Sequence, residues 1–210
     1  MDKSVNHLEQ FLLLAKTTKG AAAVELVKQA LETPGIYVFG ELLDAPNIIE
    51  LASGTNKIYY DLLTLFAYGT LLDYNKNRDK YPTLSKNQLQ KLRHLTIVSL
   101  ATKSKCLSYD VLLKELDFTN LRELEDLIIE VICVDIVRGK LDQKQQQLFV
   151  EYALGRDVRP EDVKYTIQVF DDWCQGCESV LHNIEMLAKD ANNCKDNYSK
   201  RMSKIEQEVI

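Results

Sequence analysis

The sharpest chemical feature of this 210-residue sequence is a pair of cysteines separated by two residues, Cys174 and Cys177. A C-x-x-C pair serves either as a redox dithiol or as half of a zinc site. The redox use needs a preceding strand in a βαβ setting, and the residues before Cys174 read as helix. The zinc use needs two more ligands at a second short spacing, which neither Cys194 nor His182 supplies. The three histidines, His7, His94 and His182, fall on three different expected helices, and no two are spaced to share a metal. Walker A, G-x-G-x-x-G and G-x-S-x-G patterns are absent. The expectation is therefore no catalytic residue, no metal and no cofactor.

The cysteine pair has another explanation in the helix that carries it. Alternating steps of four and three pick out Val163, Ile167, Phe170, Cys174, Cys177, Leu181, Ile184, Ala188, Ala191, Lys195, Tyr198, Met202, Ile205 and Val209. All but Lys195 are apolar or small, so this is a sustained heptad seam in which both cysteines are seam positions. A helix of about 50 residues would span about 75 Å at 1.5 Å per residue. A core built from a chain of this size cannot cover it, so the seam reads as a docking element, with Phe170, Cys174, Cys177, Leu181, Ile184, Tyr198, Met202 and Ile205 as contact residues. The competing arrangement is a helix that kinks near Gly176 and folds back on itself.

The elements upstream are short. Two helices occupy residues 6–32, the second stopped at Pro34-Gly35. Short helical pieces follow at 37–44 and 47–53, then a longer helix at 57–74. Stacked helical pairs of an α-solenoid fit this pattern, although no clean repeat period emerges. Ser85 and Gln88 form a capping box with Leu84 and Leu89 as its staple, opening a helix to about Lys103. Helices at 108–116 and from Asn120 to Gly139 come next. The period then changes to two, where Leu148, Val150 and Tyr152 alternate with Gln147, Phe149 and Glu151. Three helices followed by a small hairpin is the layout of a winged helix. The fold class is thus all-α with a small β element: helical repeats at 1–84, a winged-helix module at 85–158 and a C-terminal helix at 159–210.

Charge tests the nucleic-acid use of a winged helix. Residues 107–135 hold eight acids against only Lys114 and Arg122, so the helix that would enter a groove is repelled by phosphate. Residues 76–105 hold eight bases (Lys76, Arg78, Lys80, Lys86, Lys91, Arg93, Lys103 and Lys105) against Asp79 alone. That stretch is a candidate RNA surface, a basic face for an acidic neighbour, or a set of solvated side chains. Overall the formal charge is −5 and nucleic acid is not the expected partner. The polar N-terminus has no signal region, no apolar run reaches the ~20 residues of a membrane span, and the five cysteines are irregularly spaced. A soluble protein of the cytoplasm and nucleus, with reduced thiols and no membrane contact, is expected.

Several stretches resemble a known family. The segments 124–129 (LEDLII) and 138–143 (RGKLDQ), with a strand reaching Arg156, resemble the PCI domain shared by the proteasome lid, the third translation initiation factor and the COP9 signalosome. Residues 9–16 (EQFLLLAK), 37–43 (YVFGELL), 66–70 (FAYGT), 91–95 (KLRHL) and 173–178 (WCQGCE) are similar to the subunit-seven family of that signalosome, over nearly the whole chain. The resemblance implies a structural subunit of a complex that removes a ubiquitin-like modifier from cullins, with the isopeptidase on another subunit. It implies assembly through an exposed edge of the winged-helix sheet, assigned here to Leu148, Val150 and Tyr152, and through the C-terminal helix. Implied partners are PCI neighbours such as subunit four, bundle partners such as subunit six, and subunit eight. Family members continue into a charged tail beyond the position of Ile210. An RNA-binding PCI protein using residues 76–105, or a subunit of another PCI complex, is the alternative.

Overall fold

The computed structural model describes residues 3–54 and 56–208, and the chain forms two compact units that meet in sequence at Asp157 and Val158. The first unit begins with six helices: α1 (Lys3–Thr17), α2 (Ala21–Glu32), α3 (Gly40–Leu43), α4 (Pro46–Ser53), α5 (Lys57–Tyr68) and α6 (Leu71–Lys76). Its remainder is α7 (Lys86–Lys103), β1 (Cys106–Ser108), α8 (Tyr109–Leu116), α9 (Leu121–Cys133), β2 (Val137–Asp142) and β3 (Gln147–Ala153). The second unit is essentially α10 (Val163–Glu208), entered through a 3-10 turn at Pro160–Asp162.

Two hydrophobic cores share α7. Leu92 and Leu95 join the core of α1 to α6, where Phe39 and Phe66 meet edge to face with centroids 6.3 Å apart. Ile97, Val98 and Ala101 join α8, α9 and the sheet in the second core. A helix shared by two cores makes the helical repeats and the winged helix one unit rather than separate bodies. The α7 cap forms as expected: Ser85 Oγ accepts from the Gln88 amide (3.3 Å), and the Gln88 side chain accepts from the Ser85 amide (3.1 Å).

Elsewhere the boundaries moved. The helix expected over 57–74 breaks at Gly69, whose added Cβ would lie 2.8 Å from the Leu65 carbonyl oxygen. The new start is capped by Thr70, whose amide donates to the Asp73 carboxylate (3.0 Å), a T-x-x-D signal present in the sequence. Helix α9 ends at Cys133, not Gly139. Asp135 adopts the left-handed conformation (φ 61°), with the Asp135 and Ile136 amides donating to the Ile132 and Val131 carbonyls. That is a Schellman stop made without glycine. Gly139 instead lies in β2, where a Cβ would stand 2.1 Å from the Phe149 carbonyl oxygen, so only glycine allows the strands to pair there.

Three helix C-termini are closed by side chains far away in sequence. Asn47 Nδ2 donates to the Ala15 and Lys16 carbonyls at the end of α1 (2.8 and 3.0 Å). Lys91 Nζ donates to the Ala30 and Thr33 carbonyls at the end of α2 (3.0 and 2.7 Å). The Arg156 guanidinium donates to Phe66, Ala67 and Gly69 at the end of α5, and also to Leu95 and Ser99 of α7. Orphan carbonyls packed between stacked helices need such donors, because water has little access to them. Next to Arg156, the Asp157 carboxylate accepts from the Phe39 and Gly40 amides (2.6 and 2.9 Å) at the start of α3.

Candidate docking surfaces

The sheet has the order β1-β3-β2, all antiparallel, so β3 is its middle strand. This corrects the expectation that Leu148, Val150 and Tyr152 form an open edge. Leu148 and Val150 are buried in the second core, and the edges belong to β1 and β2. Tyr152 does not share their face. A register shift at Arg138/Gly139 pairs Arg138 with Tyr152 but Gly139 with Val150, which leaves one extra residue in β3. Such a bulge resets the alternation. Glu151 and Tyr152 are therefore both exposed, and Ala153 returns to the core.

The outward residues of the sheet are Phe149 and Tyr152, beside Arg138 and Lys140. The Arg138 guanidinium makes two bonds to Asp135 (2.7 and 2.8 Å) and sits 5.5 Å from the Tyr152 ring centroid. The paired carboxylate holds the Arg138 pKa above its ordinary value. Lys140 pairs with Glu151 at 3.5 Å. Phe149 was legible as the non-core partner in the alternation, but the bulge that exposes Tyr152 leaves no mark that a period-two reading detects.

Helix α10 runs without interruption for 46 residues, about 69 Å at 1.5 Å per residue, so it does not fold back at Gly176. Every residue of it whose side chain is described is exposed. Phe170, Leu181, Ile184, Tyr198, Met202 and Ile205 stand out among the exposed large apolar side chains, and Cys174 and Cys177 are exposed free thiols between them. Val209 lies outside the described residues. The seam reading omitted a second row: Trp173, Val180 and Leu187, spaced by seven, lie along one flank and widen the apolar face. The missing side chain of Gly176 leaves a shallow apolar depression on α10 bordered by Trp173, Cys177, Val180, Leu181 and Ile184. No helix among the described residues is long and apolar enough to cross a membrane, and no group of three His, Cys, Asp or Glu there is placed to hold a metal ion.

The basic stretch 76–105 is not one surface. Lys91 is buried, its ammonium 5.5 Å from the Phe39 ring centroid, and burial pushes its pKa down to about 7. Arg93 stacks on Phe118 with 4.1 Å to the centroid. His94 is buried, with Nε2 3.6 Å from a Glu130 carboxylate oxygen that is too far to accept a hydrogen bond. Burial lowers the His94 pKa, against the pull of Glu130. The exposed bases that remain (Lys76, Arg78, Lys80, Lys86, Lys103 and Lys105) sit at the two ends of the stretch. Arg156, which follows the sheet, points inward as a helix cap.

Comparison with known proteins agrees with this architecture. Residues 9–40 match the CSN7 helical bundle subdomain, residues 71–152 the PCI domain, and residues 162–210 the COP9 signalosome complex subunit 7a helix I domain. The chain is 49% identical to COP9 signalosome complex subunit 7a of Mus musculus over 96% of this chain and 73% of that protein. It is 43% identical to COP9 signalosome complex subunit 7 of Drosophila melanogaster (97% and 73% covered) and 41% identical to subunit 7 of Dictyostelium discoideum (96% and 78%). These matches extend through the helical repeats, the winged helix and α10 alike, and on them the chain belongs to the COP9 signalosome subunit 7 family.

Proposed function

We propose that this chain is a non-catalytic scaffold subunit of a COP9 signalosome that removes a ubiquitin-like modifier from cullins in the cytoplasm and nucleus. It holds its neighbours in place and leaves the isopeptidase chemistry to another subunit. The observation that carries this reading is α10: 46 continuous helical residues whose apolar seam is exposed throughout its described length. An apolar stripe of that length is stable in water only when other helices cover it. The free sheet edges of β1 and β2 offer a second contact, by strand pairing with a PCI neighbour such as subunit four, while subunits six and eight are candidates for the helix. Dispersal of the basic stretch, with Lys91 inside the fold, argues against an RNA surface there.

Leu181→Asp with Ile184→Asp in the full chain tests the reading. Each places a carboxylate in a seam that is desolvated on assembly, at several kcal/mol if unpaired. Co-expression with the other subunits and affinity capture should recover the wild type in the complex and lose the double variant, while Lys189→Ala and Lys200→Ala on the outer face stay silent. Unchanged far-ultraviolet circular dichroism confirms that the fold is intact. Assembly of the double variant at the wild-type level refutes the docking role of α10.

A further inference from the structure

The seam of α10 has two unlike flanks. With the seam residues at heptad positions a and d, the positions after Phe170, Cys177 and Ile184, three successive d residues, hold Asp171, Glu178 and Glu185, one carboxylate every seven residues through that segment. In the same segment the positions before Cys174, Leu181 and Ala188, three successive a residues, hold Trp173, Val180 and Leu187, which are 68, 59 and 68% exposed. Nothing within the helix accounts for the acidic row. All three residues are exposed, and none is in an ion pair among the described residues, including Glu185 with Lys189 four residues on. All three lie beyond the first turn, where the helix dipole would favour an acid.

Given that α10 is a docking helix, we propose that its acidic flank packs against a partner helix carrying Lys or Arg at heptad spacing opposite Asp171, Glu178 and Glu185. Flank charges set partner choice and register in helical assemblies, and a row of one sign asks for a row of the other. A second copy of this chain does not supply it. An antiparallel copy would set acid against acid, and a parallel one would set the acids against Trp173, Val180 and Leu187. An anionic membrane or a nucleic acid is repelled by the same row. The occupant is therefore a helix of another protein, basic on one flank.

Two four-heptad synthetic peptides probe this, both with leucine at a and d, one with lysine and the other with glutamate at every e and g. Binding of each to the intact chain is followed by fluorescence anisotropy. The lysine peptide should bind on the order of tenfold more tightly at about 0.1 M salt, from three charge pairs at a few tenths to about 1 kcal/mol each. The gap should shrink towards parity at about 1 M salt, where the screening length falls to about 3 Å. In the Asp171→Lys/Glu178→Lys/Glu185→Lys variant the preference should reverse. Asp172→Lys/Asp190→Lys/Asp196→Lys changes net charge equally on the outer face and should keep the wild-type preference. Equal binding of the two peptides to the wild type, or reversal by the outer-face variant, overturns the inference while leaving α10 a docking helix. Binding of neither peptide overturns both.

Discussion

Arg156 offers the most direct test of how the first unit is held together. Helix α5 ends at Tyr68, so its last carbonyls have no amide partners along the helix, and Arg156 supplies donors to Phe66 (2.7 Å), Ala67 (3.0 Å) and Gly69 (2.9 Å). The same guanidinium reaches the Leu95 carbonyl and Ser99 on α7. One side chain therefore joins the end of α5 to the middle of the helix that both cores share. Arg156→Met keeps most of the apolar stem and removes every donor. Each lost bond to a charged group is worth roughly 1.5–3 kcal/mol, and each carbonyl left dry costs roughly 1–3 kcal/mol. Arg156 is only half-buried, so water repairs part of that loss. A net destabilisation of about 3 kcal/mol follows.

With a urea dependence of about 2 kcal/mol per molar for a unit of this size, that loss lowers the unfolding midpoint by about 1.5 M. Far-ultraviolet circular dichroism reads the midpoint, and amide exchange at Gly69 to Leu71 and Leu95 to Ser99 reports where protection is lost. Arg156→Lys should fall between the two, since an ammonium keeps the charge but cannot span five acceptors with a planar fork. A midpoint shift below about 0.3 M for Arg156→Met would show that solvent satisfies these carbonyls, and the clamp argument would fail.

Two further outcomes follow from burial. Lys91 has a folded pKa near 7, below its ordinary value, so above pH 7 the unfolded chain binds a proton that the folded chain does not. Stability contributed at this site therefore rises from pH 7 towards 10, and the deficit of Lys91→Met in urea titrations should grow by about 2 kcal/mol between pH 7 and 9; a pH-independent deficit contradicts it. On β3, Leu148→Asp buries a carboxylate and should lower stability by about 3 kcal/mol or more, while its neighbour Phe149→Asp should stay within about 1 kcal/mol. Equal thermal shifts for the two would mean that the strand faces are assigned the wrong way round.

Features governed by local rules were legible in the sequence. The Ser85 capping box, the α10 heptads and the helix–hairpin order of the winged helix each depend on residues within a few positions of one another. What was not legible depends on distant partners. The destinations of Lys91 and Arg156 are carbonyls 58 to 61 and 61 to 90 residues away, so residue type alone placed Lys91 in a basic stretch and gave no sign of the Arg156 cap. The β3 bulge is equally hidden, because it arises from how Val150 to Tyr152 meet Arg138 and Gly139 across the sheet. The end of α9 was misplaced for a related reason: an aspartate took the left-handed position usually given to glycine, and the nearest glycine was needed for strand contact.

The geometry of α10 also restricts what can cover it. A strict seven-residue repeat advances by 3.5 residues per turn, whereas a straight helix turns every 3.6, so the seam slips by about 20° per heptad. From Val163 to Ile205 are six heptads, which carries the seam through about 120° on a straight helix. A flat surface facing Phe170 would no longer face Met202. Continuous cover requires partner helices that wind left-handed with the seam, or different neighbours for its two ends. The sequence divides in the same place. Large side chains from Phe170 to Leu187 give way to Ala188, Ala191 and Lys195 before Tyr198, Met202 and Ile205 resume. A lone lysine at an a position lowers affinity and fixes register. In the proposed assembly the acid-flanked, strongly apolar segment would then supply most of the contact, and Lys195 would set the alignment of the C-terminal turns.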